Sequence, residues 1–104
     1  MIWIIDDEVD ILEITSHIFN DCGFKKIRLC RHFCECMPEK GDIVIHDLIG
    51  VGNVNKERGI LYFSHSGSIN PNDHVDFRKP FDIYKLAEIM INLHEGENYE
   101  YFND

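Results

Sequence analysis

The sequence predicts an α/β fold in which helices flank a parallel sheet. Three short apolar runs, at residues 2–5, 42–47 and 60–64, each deliver a polar residue at their C-terminal end. Runs of this kind are typical of strands buried on both faces. Between and after them lie segments with apolar residues at helical spacing. Strands that alternate with helices indicate right-handed βαβ units, and therefore a parallel sheet.

The remaining elements follow from local patterns. Apolar residues from Ile11 to Cys22 recur on one side of a helix, and Gly23 is a common helix stop. Residues 25–30 alternate polar and apolar, as a half-covered strand does. The other expected elements, in chain order, are a weakly helical stretch at 32–40, a last strand at 75–79 that Pro80 ends, and a helix at 81–95.

Two connections lack any helical pattern. Residues 48–59 and 65–74 are rich in Gly, Asn, Ser and Pro, which favour loops. We therefore expect five parallel strands with the third and fourth helices shortened or absent. The sheet face left bare predicts a homodimer. The open alternative is that the two loops fold over this face, with the apolar residues Leu48, Ile49, Val51, Val54 and Ile69.

Length and charge limit the function. The 104 residues are enough for one domain, which we place at 1–95, with a short acidic tail at 96–104. Ten basic and 19 acidic residues give a formal net charge of −9, which disfavours binding to nucleic acids and anionic lipids. The sequence shows neither a signal peptide nor a membrane span. We expect a cytoplasmic protein.

The four cysteines, at positions 22, 30, 34 and 36, are predicted to be free thiols, because disulfides belong to secreted chains. The cluster from Cys30 to Cys36 also contains His32, and Cys and His are the usual zinc ligands. It lacks the second ligand pair of a zinc ribbon, so small packed thiols remain the preferred interpretation over a structural metal.

Polar residues at the predicted strand ends form the candidate site: Asp6 and Asp7, Asp47, Ser64 and Lys79. The carboxyl ends of parallel strands meet at one edge of the sheet, where ligands bind. Three carboxylates at one edge repel each other, and a hard cation such as Mg²⁺ relieves the repulsion. His46 points to the other side of its strand by alternation, and we expect a packed core histidine there.

This set of residues, in this order, resembles the receiver domains of two-component response regulators, which have a flavodoxin-like (CheY-like) fold. The resemblance covers the chain from Ile2 to about Leu93 and includes Pro80 and Phe81 after the lysine. It implies that Asp47 accepts a phosphoryl group from a histidine kinase or a histidine phosphotransfer protein. The response would pass to a downstream protein partner by protein–protein contact.

The resemblance also implies individual roles. Asp7 and Asp47 would bind Mg²⁺ directly, Asp6 through water, and the backbone carbonyl of Ile49 would add a ligand. Lys79 would pair with the phosphoryl oxygens, and Ser64 would donate its hydroxyl to one of them.

Two departures from the receiver pattern leave alternatives open. His65 follows Ser64 where receivers carry a small residue, and Asp76 replaces the aromatic switch residue, with Phe77 displaced by one. Both favour a pseudo-receiver that binds proteins without phosphorylation. A third alternative is an aspartate-nucleophile phosphohydrolase, but such enzymes carry a second acid where this chain has Ile49. We therefore expect no enzymatic turnover.

Overall fold

The computed structural model of the chain describes residues 1–48, 50–66, 75–78 and 82–95. A single 3₁₀ turn, Phe33–Glu35, is all the helix found in the weakly helical stretch 32–40. The other elements are β1 (Ile2–Ile5), α1 (Val9–Asp21), β2 (Ile27–Cys30), β3 (Ile43–Asp47), β4 (Leu61–Ser66), β5 (Phe77–Arg78) and α2 (Ile83–His94).

All strand pairs are parallel, in the order β2-β1-β3-β4-β5. Four strands form the body of the sheet, and within the described residues β5 adds a two-residue pairing at its edge. The α/β class with a parallel sheet is therefore confirmed. The predicted last strand at 75–79 begins two residues later than expected, at Phe77, and its residue Lys79 lies outside the described residues.

Both helices pack on one face of the sheet, which we call the helical face. Ile2, Ile4, Ile43 and Ile45 project from β1 and β3 into a core with residues of α1 and α2. The helix residues in this core are Leu12, Ile18 and Phe19 from α1 and Leu86, Ala87 and Met90 from α2. This spacing explains why the helical pattern was visible in the sequence.

Side-chain capping fixes where α2 begins. The Asp82 side chain accepts hydrogen bonds from the backbone N–H groups of Tyr84 and Lys85, at 3.0 and 3.3 Å. An aspartate in this role satisfies donors that the first helical turn leaves unpaired. The helix therefore starts at Ile83, two residues after the predicted start, and ends at His94. Residues 96–104, the predicted tail, lie outside the described residues.

The opposite face, which we call the loop face, is covered without a helix in residues 50–60. Val51 is 1% exposed and packs with Ile60 on Val44, which is fully buried. The backbone N–H of Phe33 donates to the carbonyl of Val51 at 2.8 Å, which holds the loop down. The expected loss of the third helix is confirmed for these residues, whereas the fourth helix concerns 67–74, outside the described part.

The covered loop face bears on the two alternatives for this side of the sheet, which are a homodimer through a bare face and loops that fold over the face. Of the apolar residues proposed to fold over it, Val51 and Val54 do so, and Leu48 is half-buried at a cavity on this face. Ile49 and Ile69 lie outside the described residues. The described loop thus takes the place of a missing helix. No helix in the described part of the chain is long and apolar enough to cross a membrane.

Candidate functional site

On the helical face, the apolar side chains of β1, β3 and β4 are each followed by a polar residue at the C-terminal end of the strand. Along β3, Ile43 and Ile45 face the helices, and alternation puts Asp47 on the same side. His65 is the residue of β4 in register with Asp47. Asp6 follows β1, and its backbone N–H extends the ladder by donating to the carbonyl of Cys30 at 3.0 Å. The sheet therefore gathers these three side chains at its carboxyl edge.

These residues form what we call the Asp6–Asp47–His65 cluster. One potential metal-ligand atom from each lies within 4.8 Å of the others, and the residues are 0%, 8% and 3% exposed. His65 Nε2 is 3.7 Å from Asp6 Oδ2. Two carboxylates this well buried repel each other strongly and require positive charge nearby. A protonated imidazole and a bound metal cation are both able to supply such charge.

Asp6 links the cluster to the start of α1. Its Oδ1 accepts a hydrogen bond from the backbone N–H of Glu8 at 2.8 Å, while its Oδ2 faces His65. Glu8 is the residue that precedes the helix. A carboxylate near a helix N-terminus interacts favourably with the helix dipole. The carboxylate of Asp6 is thus oriented from two sides.

Asp7, predicted as a direct metal ligand, is exposed and stands beside the cluster. Its carboxylate lies against Gly50, in the loop that follows β3, so closely that a Cβ atom at Gly50 would be 2.5 Å from Asp7 Oδ2. Asp7 therefore reaches the loop that leaves Asp47. Two other predicted site residues, Ile49 and Lys79, lie outside the described residues.

Ser64 lies on the loop face, away from the cluster. It is in register with His46, and both line an open cavity of about 450 Å³. The backbone N–H of Ser64 donates to Asp76 Oδ2 at 2.8 Å, and its hydroxyl donates to the same oxygen at 3.3 Å. In this placement Ser64 does not face Asp47, whose phosphoryl group it was predicted to contact. The physical reason is the register of β4 on β3, which pairs Ser64 with His46 and His65 with Asp47, so alternation turns His65 toward the side of Asp47.

His46 behaves as the alternation predicts. It is 7% exposed on the loop face, and its Nδ1 lies 3.0 Å from the backbone carbonyl of Asp47. It is therefore a packed histidine outside the Asp6–Asp47–His65 cluster. The sequence singled out His65 as a large residue after Ser64, but its place in the cluster follows only from the pairing of β4 with β3, which sets it opposite Asp47.

The cysteines are free thiols, as predicted. Burial raises the pKa of the Cys36 thiol, and a hydrogen bond with Cys30 and the nearby Glu35 and Cys34 raise it further. A thiol with a raised pKa is a poor metal ligand and nucleophile, because both roles need the thiolate. Among the described residues, the group arranged to hold a metal ion is the Asp6–Asp47–His65 cluster.

The fold and the site define a class: an α/β domain with a buried Asp–Asp–His cluster at the carboxyl edge of a parallel sheet. No protein-family model, no curated protein and no solved structure matches this chain significantly. Any assignment of function therefore rests on the residues and their geometry.

Proposed function

We propose that this chain is a receiver domain that accepts a phosphoryl group on Asp47 and signals through protein contacts. The observation that carries the proposal is the meeting of Asp6 and Asp47 at the carboxyl ends of the adjacent strands β1 and β3. The strand order β2-β1-β3-β4-β5 is that of flavodoxin-like sheets, whose ligands bind at this edge. The receiver fold itself is part of the proposal.

The chemistry needs a carboxylate nucleophile and positive charge. An oxygen of Asp47 forms the new bond to phosphorus, while the bond from phosphorus to the donor's histidine nitrogen breaks and leaves its electron pair on that nitrogen. A bound divalent cation such as Mg²⁺ supplies positive charge for the incoming phosphoryl oxygens. Asp6 and Asp47 would hold it, and the resemblance adds Asp7 and the Ile49 carbonyl.

The partners follow from the same proposal. The phosphoryl donor is a histidine kinase or a histidine phosphotransfer protein. The ammonium group of Lys79 pairs with the oxygens of the phosphoryl group on Asp47. The net charge of −9 favours protein surfaces of positive potential over nucleic acids. We propose no hydrolysis of external substrates, because Ile49 stands where aspartate-nucleophile hydrolases carry a second acid.

A second candidate function is a pseudo-receiver that binds proteins without being phosphorylated. Its support is the placement of His65 in register with Asp47 and 3.7 Å from Asp6. In a receiver, a bound metal ion supplies positive charge beside the carboxylates. In a pseudo-receiver, a protonated His65 would supply that charge without a metal and without phosphorylation. Ser64, hydrogen-bonded to Asp76, would then be a structural residue.

Labelling with a small phosphodonor separates the two candidates. We expect the wild type, incubated with acetyl phosphate and Mg²⁺ or Mn²⁺, to gain one phosphoryl group by intact mass. Asp47→Asn should gain none, because the amide is not a nucleophile. Asp10→Asn is the matched control, since Asp10 is an exposed acid in the first turn of α1. Label on Asp47→Asn would move the acceptor elsewhere, and an unlabelled wild type would favour the pseudo-receiver.

A further inference from the structure

We propose that His65 is a metal ligand and that the Asp6–Asp47–His65 cluster binds a first-row transition-metal ion in preference to Mg²⁺. The inference deepens the proposed function and rests on it only in treating Asp47 as part of a cation site. It departs from the all-oxygen site that the sequence predicted, because the third side chain brought to Asp6 and Asp47 supplies a nitrogen.

The spacing of the three side chains fits a shared ion. His65 Nε2 and Asp6 Oδ2 are 3.7 Å apart, which is too long for a hydrogen bond. Two ligands that are each roughly 2.1 Å from one metal ion lie at most about 4.2 Å from each other. The separation of 3.7 Å is therefore within reach of one ion. The other separations in the cluster are no more than 4.8 Å, so a shared ion requires the longest of them to shorten to about 4.2 Å or less.

The charge of the cluster also matches a divalent cation. Asp6 and Asp47 contribute two negative charges when ionised, and they are 0% and 8% exposed. A buried charge is stable only when paired or bound to a metal. A divalent ion bound by the two carboxylates and a neutral imidazole carries a charge equal and opposite to that of both carboxylates.

The nitrogen ligand decides which ion is preferred. Mg²⁺ takes oxygen ligands in an octahedral shell, whereas imidazole favours first-row transition metals. Three protein ligands also leave coordination positions open for water or a phosphoryl oxygen. The cluster can therefore select a transition metal and remain compatible with phosphoryl transfer to Asp47.

Pulsed electron paramagnetic resonance with Mn²⁺ tests the ligand directly. In the wild type we expect the spectrum of bound Mn²⁺ to show coupling to ¹⁴N, and His65→Gln should abolish it. His46→Gln is the matched control, because His46 is also a buried strand histidine but faces the loop side. By calorimetry, His65→Gln should lose at least the roughly tenfold in Mn²⁺ affinity that disturbing a metal ligand's surroundings costs. Mg²⁺ affinity should change much less.

Several outcomes would overturn the inference. They are bound Mn²⁺ without nitrogen coupling, coupling that survives in His65→Gln, and absence of binding of both Mn²⁺ and Zn²⁺, which would make His65 a counter-charge instead. If His65→Gln does not fold, as judged by circular dichroism, the wild type still decides. Its His65 ring resonances should be the histidine signals that Mn²⁺ broadens first, and broadening elsewhere would refute the assignment.

The inference and the proposed function fail separately. Phosphoryl label on Asp47 without nitrogen coupling would keep the receiver and reject His65 as a ligand. Nitrogen coupling in a chain that acetyl phosphate does not label would keep the metal site and reject the phosphoacceptor.

Discussion

Asp7 and Gly50 show at the scale of single residues how the first and third strands are held together at the candidate site. Gly50 has a backbone φ of +87°, a conformation that L side chains rarely adopt, and Asp7 Oδ2 occupies the space of its missing Cβ. Position 50 therefore favours glycine for two reasons: the turn needs a positive φ, and the Asp7 carboxylate leaves no room for a Cβ atom. This contact joins the acidic end of β1 to the loop that follows Asp47.

Gly50→Ala should both destabilise the fold and disturb metal binding. The left-handed backbone alone costs roughly 1–2 kcal/mol for a residue with a Cβ, and the new methyl group must also displace Asp7. Gly41→Ala is the matched control, because Gly41 has a φ of +89° with nothing within 4 Å of its Cβ position. Urea unfolding and calorimetric Mn²⁺ titration measure both effects. Equal losses in the two variants would show that the Asp7 contact is unimportant.

The candidate site was predictable from sequence only in part. Asp6 directly follows an apolar run and Asp47 follows another after His46, so their place at the carboxyl edge required no knowledge of tertiary structure. The choice between Ser64 and His65 depends on where β4 stops and how it pairs with β3. A strand shifted by one residue turns every side chain to the other face. Local sequence does not contain that information.

At the scale of elements, residues 50–60 replace a helix. Besides the bond from Phe33 to Val51, the loop is held by Tyr62, whose hydroxyl accepts from the backbone N–H of Glu57 at 3.0 Å. Gly52 packs closely against the imidazole of His32. The sequence predicted that a helix was missing here, because no amphipathic pattern is present. It could not predict the cover, because these contacts join residues from separate segments.

Val51→Ala should weaken the loop face measurably. Val51 is 1% exposed in the loop-face core, and the removal of two buried carbon atoms costs about 2 kcal/mol. Val9→Ala is the matched control: Val9 is 44% exposed on α1, and such surface changes usually alter stability by less than about 0.5 kcal/mol. Urea unfolding curves give both values. If Val51→Ala is as mild as Val9→Ala, the loop does not contribute a packed layer.

At the scale of the whole molecule, a polar network joins the start of β1 to the end of α2. The amino group of Met1 lies 2.6 Å from His94 Nε2 and 3.2 Å from Asp42 Oδ1. Burial, the Met1 ammonium and Lys26 lower the pKa of His94 below its ordinary value, although Glu95 and Asp42 oppose them. His94 therefore accepts a hydrogen bond from Met1 as a neutral ring.

Asp42 is shifted in the direction that favours its charged form. Burial disfavours the carboxylate, but hydrogen bonds from the N–H groups of Glu39 and Trp3, together with the Met1 ammonium, outweigh burial and lower the pKa of Asp42. The N–H groups of Trp3 and Glu39 donate to Asp42 Oδ2 at 3.0 and 2.9 Å. Asp42 and His94 thus bind protons more weakly in the folded chain than in the unfolded chain.

The chain should lose stability in acid in two steps. As the pH falls below about 6.5, the unfolded chain protonates at His94 more readily than the folded chain, and below about pH 4 the same holds for Asp42. Each contribution is present above the unfolded-state pKa and is lost as the pH falls toward the lower folded-state pKa. Urea unfolding between pH 8 and 3 measures both steps.

His94→Gln and Asp42→Asn serve as the controls for this prediction. His94→Gln should flatten the first step and Asp42→Asn the second. A pH dependence unchanged by His94→Gln would show that the Met1–His94 contact is absent in solution.

The covered loop face also predicts the oligomeric state. A standard interface buries about 800 Å² on each partner, and Ile5 and Val44 of this face are already fully buried. The exposed large apolar residues of the described part are scattered over other elements, namely Val9, Ile14, Leu29, Met37, Tyr84 and Ile89. Scattered apolar residues are ordinary surface features. A net charge of −9 on each copy adds repulsion between copies.

We therefore expect a monomer at all concentrations in light scattering, which is the loop-covered alternative to the homodimer. Tyr62 lies half-buried in the loop face, with its hydroxyl held by the loop. If the chain dimerises and Tyr62→Asp restores the monomer while Tyr84→Asp, on the exposed side of α2, does not, the loop face is an interface after all. Dimerisation that neither substitution affects would place the contact on another surface, because a charge at Tyr62 cannot be tolerated within an apolar interface on the loop face.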